Sequence, residues 1–533
     1  MTHGSTRLLA FGILTISPWG CVPPADTGGS GGSNGSGGSS ASGGSSASGG
    51  SNGSGGSNAS GGSSSGGSNA SGGSNSSGGA TGSGGKTASG GATGSGGATG
   101  SGGASTGSGG TTGGSCTITP TLSMSTKIPT VGIVTWTTTQ AKVKEAHIDF
   151  GLTTTYGMTA PVDLAEKSYR TLLLGMKASK TYHYRVVSTD DAGVPCNSAD
   201  GMLTTGALTN GLSKITVTNK DKTKLAGGFL ITGQFVQNAG ASGAPAYILD
   251  ADGEYVWWYA PGGDVTGARL SHDGKHMWIN SANVPSGTAR VHRVTMDGMT
   301  DEDLSTQFKG ANHQMTVLPD GTIAFYAYGS TCDDIKERAL DGTVKTIVNA
   351  GTAQGGSGAC HVNNIEYSPM DDTLVFSDLD HQAVTKVTRA GKTVWVLNGA
   401  TNSFTGDTWK GGEHGIHILG LDRFLIFNNN SSNGPGASGG TGAGSIAIEV
   451  KLDLTAKSSK IVWKYQASPG IQNDVMGDVQ RLANGNTVVG FSTQGVIHEV
   501  DSSGTLLQEL SYPAGASFGY IEKRPTLYGP PSK

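Results

Sequence analysis

Three histidines stand in similar local surroundings, and their side chains are the natural place to look for chemistry. His313 lies in Asn312-His313-Gln314-Met315-Thr316-Val317-Leu318-Pro319-Asp320-Gly321, and His361 in Cys360-His361-Val362-Asn363-Asn364-Ile365-Glu366-Tyr367-Ser368-Pro369. His414 follows Gly411-Gly412-Glu413 and opens an apolar stretch, with glycines on both sides that let a ligand approach the backbone. A neutral imidazole is a nucleophile, and a protonated one is an acid and a hydrogen-bond donor, near neutral pH. If the three are equivalent positions of a repeat, they converge on one spot equipped for group transfer. A rival reading uses the same histidines with Asp380 as ligands for zinc or copper, but no ligands show the close spacing of a preformed metal motif. No metal and no cofactor is therefore expected. His417 falls on the opposite face from His414 in an extended strand and is read as structural, as are His272, His276, His292 and His498.

The elements that must position these residues are strands. From about residue 210, turns at Asp252-Gly253, Asp297-Gly298, Asp341-Gly342 and Ala390-Gly391 recur about 45 residues apart, with a later member at Ser503-Gly504. A second series, Asp273-Gly274, Asp320-Gly321, Asp371-Asp372, Leu421-Asp422 and Asn484-Gly485, runs out of phase with the first. Short strands and glycine turns at this period predict a β-propeller of about six blades over residues 207–528. The long interval between Ala390 and Ser503 predicts two blades with an insertion, the Asn-, Ser- and Gly-rich stretch from Asn428 to Gly444. The fold class is all-β.

Before the propeller, residues 116–206 predict a small β-sandwich, with strands around Val131-Gly132-Ile133-Val134-Thr135-Trp136-Thr137, Ala146 to Phe150 and Thr181 to Ser188. The run from Leu172 to Tyr184 resembles the fibronectin type III pattern, in which a tyrosine ties a corner to nearby backbone. Residues 22–115 are almost entirely Gly, Ser, Ala, Thr and Asn, with nothing to offset ordering entropy, and are read as a disordered tether. A flexible coil of that length spans about 50 Å end to end. Residues 1–21 read as an export signal, with Arg7, the short apolar run Leu8 to Ile16, and Cys21 in the place of a bacterial lipoprotein's lipidated cysteine. Localisation is then the periplasm or the cell surface, with the membrane touched only through that anchor. The other four cysteines suggest two disulfides, Cys116 with Cys196 and Cys332 with Cys360 by proximity. A net charge of −4 and a pI near 6.3 give no basic field for nucleic acid.

With its motifs in order, the chain resembles the bacterial arylsulfate sulfotransferases and their arylsulfotransferase-like relatives. The resemblance rests on Asn312-His313-Gln314, His361-Val362-Asn363, His381-Gln382, Gly391 to Gly399, Glu413-His414 with Phe427-Asn428-Asn429, Ile461 to Tyr465, and Met476 to Asn486. It implies a six-bladed propeller preceded by a β-sandwich, and transfer of a sulfuryl group from a phenolic sulfate ester to an acceptor phenol without a nucleotide donor. By position His414 matches the nucleophile that becomes sulfated, while His313, His361 and Asn363 match the groups that hold and protonate the ester. Thr493 resembles a further polar contact, and Asp380 stands where the family carries an arginine. Small-molecule aryl sulfates and phenols are the implied partners. Two other readings stay open from the residues themselves: a histidine-ligated metalloenzyme, and a tethered, non-catalytic binding module that uses the Asn428–Gly444 loop.

Overall fold

A computed structural model describes residues 116–235, 243–283, 288–356, 358–432 and 439–529. The export signal, Cys21 and the tether lie outside the described residues, as does the middle of the Asn428–Gly444 stretch.

The propeller region is six successive sheets, antiparallel except where Thr405–Gly406 pairs in parallel with Ser458–Gln466. Their second strands are the most deeply buried: Ile323–Ala327, Thr373–Asp378 and Thr487–Phe491 are covered along their whole length. That is why they read as continuous runs of β-branched and aromatic residues rather than alternating ones, since neighbouring sheets pack on both faces. The two turn series are the two ends of the strand meander. Turns at Asp252, Asp297, Asp341, Ala390 and Ser503 join the last two strands of their sheets, whereas those at Asp273, Asp320, Asp371, Leu421 and Asn484 join the first two. Most of these turns place glycine at positive φ, between 68 and 89°, where a Cβ is disfavoured. The sheet that interrupts the first series makes its last turn at Leu454–Lys457 instead, with Lys457 at φ 53°.

The ring closes from both chain ends. Thr216–Asn219, the first propeller strand, pairs with Leu506–Ser511 of the last sheet. Ser517–Phe518 and Glu522–Arg524 in turn pair with Phe229–Phe235 of the first sheet. Closure of this kind pairs edges that would otherwise stay open.

Residues 118–204 form two sheets around a core that includes Val134, Trp136, Ile148, Phe150, Tyr182, Tyr184 and Val186. The Tyr182 hydroxyl accepts from the Lys177 backbone N–H at 2.8 Å. This layer is docked on the ring: Ile128, Val131 and Leu174 share a buried cluster with Ile231, Trp257, Met277 and Leu527. Tyr528 near the C-terminus accepts from Leu174 N–H (2.7 Å) and donates to Leu172 C=O (3.0 Å). The disulfides pair as expected, Cys116 with Cys196 and Cys332 with Cys360. The second brings the start of Asp334–Arg338 to the segment that leads into His361, with Cα atoms 4.9 Å apart.

Candidate functional site

The innermost strands of four consecutive sheets are Asp264–Leu270, Ala311–Val317, Val362–Ser368 and Glu413–Gly420. Each carries a register shift against its neighbour, at Thr266, at residues 312–314, at Asn363 and at residues 414–415. A bulge re-aims a side chain and breaks the two-residue alternation, so a residue and its third successor share a face. His313, Asn363 and His414 all sit in these bulges, and His361 directly precedes the third strand.

The bulges bring the predicted histidines together. The ring centroids of His313 and His414 are 6.3 Å apart with planes 20° from parallel, and His361 acts electrostatically on both. His414 is buried, and burial first of all depresses its pKa to about 3, against the opposing hydrogen bond that it makes to Asn429 Oδ1. His313 is pushed well below its ordinary value by burial and then by His414 and His361, with the Asn363 side chain working the other way. His313 and His414 are therefore uncharged imidazoles at neutral pH.

Two tyrosines that sequence reading did not single out support His313. Tyr326 Oη lies 2.8 Å from His313 Nδ1 and donates to the Asn363 C=O, also at 2.8 Å. Tyr520, from the segment that closes the ring, also donates to that carbonyl, and its ring lies 5.7 Å from His313 at 24°. Asn363 Nδ2 donates to Glu413 C=O at 2.9 Å, which ties the His361 strand to the His414 strand. No spacing signal could have found Tyr520, because it lies far along the chain from either histidine.

Beside His361 is a carboxylate group of different character. Asp378 is buried and accepts from His361 N–H (3.1 Å), Asp380 N–H (3.0 Å), Gln354 Nε2 (3.1 Å) and His381 Nδ1 (2.9 Å). That bond raises the pKa of His381 above its ordinary value. Asp380 is exposed, and its pKa is raised by partial desolvation, opposed by His361 and reinforced by Asp378. Asp333 donates no charge of its own at neutral pH without cost, because burial lifts it to about 7 while it accepts from Val362 N–H at 2.9 Å. Thr493 donates from both its N–H and its hydroxyl to Asn473 Oδ1, each at 2.8 Å.

His417 departs from the expectation of strict alternation. With the bulge at residues 414–415 it comes within reach of Arg269 and Arg481, and burial followed by those two cations lowers its pKa to about 4. Its Nδ1 accepts from Arg481 N–H at 3.0 Å, so the ring is held by backbone. Among the described residues, no group of three or more His, Cys, Asp or Glu side chains is placed to hold a metal ion.

Comparison with known proteins agrees with the motif resemblance. The arylsulfotransferase (ASST) family model matches residues 331–517, a stretch that includes His361, Asn363, His414 and Thr493 but ends short of His313 on its N-terminal side. This region is similar to the arylsulfotransferases. No curated protein sequence matches the chain. Similar solved structures include TolB from Acinetobacter baumannii, at 12% identity and TM-score 0.41 over 66% of this chain and 80% of that one. They also include a streptogramin B lyase, at 12% identity and TM-score 0.36 over 58% of this chain and 98% of the other. At these scores neither likeness carries weight for function.

Proposed function

We propose that the protein is an aryl sulfotransferase that passes a sulfuryl group from a phenolic sulfate ester to an acceptor phenol through a sulfohistidine at His414. The observation that carries this reading is the approach of His313 to an uncharged, buried His414 across two bulged strands, with His361 in electrostatic reach of both. An imidazole without a proton to lose can attack sulfur directly at neutral pH. As the new N–S bond forms, the ester S–O bond breaks and the leaving phenolate oxygen takes a proton. We assign that proton to His361, the histidine with Asp333 and Asp380 in electrostatic reach. In the second half the acceptor phenol returns a proton to His361 and attacks the sulfur, which frees His414. His313 and Asn363 serve the sulfuryl oxygens as they gain charge, and donors fixed in advance are the main source of such stabilisation.

Two disulfides fit an exported protein, and no described helix is long and apolar enough to cross a membrane. The anchored arrangement we infer is a lipidated Cys21 followed by the tether over 22–115, the fibronectin type III-like sandwich over 116–206 and the six-bladed propeller over 207–528.

The test is a donor-first experiment. Full-length protein is incubated with a chromogenic aryl sulfate, with and without a chelator, and the digest is weighed by mass spectrometry before any phenol is added. One sulfuryl group on the His414 peptide and ping-pong kinetics are expected, with no effect of the chelator. An unmodified His414 peptide together with full turnover by His414→Ala would refute the mechanism. Loss of turnover on chelation would favour the metalloenzyme, and absence of any turnover the binding module.

A further inference from the structure

Asn429 lies just past the strand Arg423–Asn428, at the start of a stretch that reads in sequence as a loop. It is completely buried and every polar atom of its side chain is engaged. Asn429 Oδ1 is 2.6 Å from His414 Nδ1, while Nδ2 donates to the backbone carbonyls of Asn473 (2.6 Å) and Met476 (3.0 Å). A backbone carbonyl can only accept, so the amide cannot be turned round without facing two carbonyls with its own oxygen. The oxygen must therefore face His414, and an amide oxygen also can only accept. The proton between them belongs to His414 Nδ1.

The platform under this pair is itself fixed. Asn473 is fully buried; its Oδ1 accepts from Thr493 N–H and Oγ1, and its Nδ2 donates to Val475 and Met476 C=O, both at 3.0 Å. Asn429 is pinned through its backbone as well, with its N–H on Gly412 C=O (3.0 Å) and its C=O accepting from Ser445 Oγ (3.0 Å) and Gln472 Nε2 (3.0 Å). The approach of His414 to this platform requires glycine, since a Cβ on Gly415 would fall 2.2 Å from Asp478 Oδ1.

We infer that Asn429 is a positioning residue that fixes neutral His414 as the Nδ1–H tautomer, so that Nε2 carries the lone pair and is the atom that takes the sulfuryl group. Asn473 and Thr493 act one step further out, by holding the Asn429 amide in its orientation. The identity of the transferred group rests on the sulfotransferase reading. The tautomer stands by itself, and depressed basicity of His414 keeps the neutral form dominant over the working pH range.

The experiment is two-bond proton–nitrogen NMR on full-length protein labelled with 15N-histidine, with the His414 signals assigned by their loss in His414→Ala. The Nδ1–H pattern is expected for His414 from pH 6 to 8. Asn429→Leu keeps the bulk but removes the acceptor, and should shift the ring toward Nε2–H and slow sulfohistidine formation at least ~10-fold. Asn429→Asp keeps an acceptor and should retain the Nδ1–H pattern with more of the formation rate than the leucine variant. Wild-type His414 in the Nε2–H form would overturn the inference, and that spectrum requires no variant to fold. So would Asn429→Leu with wild-type tautomer and rate. A His414 in the expected tautomer that never acquires a sulfuryl group would instead remove the sulfotransferase reading and leave the tautomer assignment in place.

Discussion

The same four bulged strands build two levels of side chains around the ring, and the levels differ in kind. At the first are Thr266, His313, Asn363 and His414; three residues further along each strand come Arg269, Thr316, Glu366 and His417. The first level holds a hydroxyl, imidazoles and an amide, and among the described residues no carboxylate, lysine or arginine is among the causes that shift the pKa of His313 or His414. The second is a compensated charge cluster: Arg269 lies 3.9 Å from Glu366 and 3.8 Å from Asp478, and donates to Ile521 C=O at 3.0 Å. Burial raises Glu366 to about 8 and Asp478 to about 6, with Arg269 opposing both shifts. On the proposed reading an anionic ester meets neutral donors that gain nothing until it arrives, whereas Arg269 already lies among carboxyl groups and serves the fold.

Substitution at the two levels should therefore separate activity from stability. The largest effect belongs to the first level and to His361 beside it. His414→Ala should lower transfer by on the order of 10³-fold or more, and His361→Ala or Asn363→Ala by roughly 10²- to 10³-fold, with thermal unfolding little changed for His414→Ala and His361→Ala. Initial rates with a chromogenic donor check this, and equal losses of rate and stability in all three would erase the distinction between levels.

Next in size is Arg269→Met, which strands two buried carboxyl groups. A loss of about 3 kcal/mol is expected near pH 8, and less near pH 5 where Glu366 and Asp478 can take up protons. Urea titrations at both pH values measure it, and turnover per folded molecule should survive.

A smaller change is expected at the edge of the first level. Because Asp380 is exposed beside His361 and makes no ion pair among the described residues, Asp380→Arg should raise turnover of a sulfate ester by about 10-fold, mainly through KM. An unchanged or lower kcat/KM would mean that the aspartate serves the substrate this protein uses.

The smallest effect concerns Glu413, the neighbour of His414. Burial raises its pKa to about 8, although Trp409 and Asn398 donate to it. The folded chain keeps this proton while the unfolded chain loses it near 4.5, so its contribution to stability is full below that pH and fades as pH rises toward 8. Glu413→Gln should flatten this slope and raise Tm by a few degrees at pH 8 but not at pH 5. Scanning calorimetry across that range would expose an unaltered slope.

The first level was more legible in the sequence than the second. His313, His361 and His414 each open a stretch that ends in a glycine or proline turn, and repetition made them visible. Arg269, Glu366 and His417 were not recognisable as a group, because the alternation rule sends His417 to the opposite face from His414. One inserted residue in the strand cancels that rule, and a bulge has no reliable sequence mark. Asn429 stood in a quoted motif but looked like loop composition, since an asparagine before a Ser- and Gly-rich stretch is ordinary turn chemistry.

By itself the sequence determined what local chemistry can determine. Glycine and aspartate turns set the strand period and hence the propeller, and apolar continuity marked the strands buried on both faces. Cysteine proximity led to the two disulfides, and histidine recurrence to the level that carries His313 and His414. Only the tertiary structure decided which partners those residues meet. Tyr520 reaches His313 because the C-terminal segment returns to complete the first sheet, and Asn473 reaches Asn429 because neighbouring sheets pack face to face. Such contacts join residues far apart in the chain, and their geometry follows from ring closure rather than from any local preference of the residues involved.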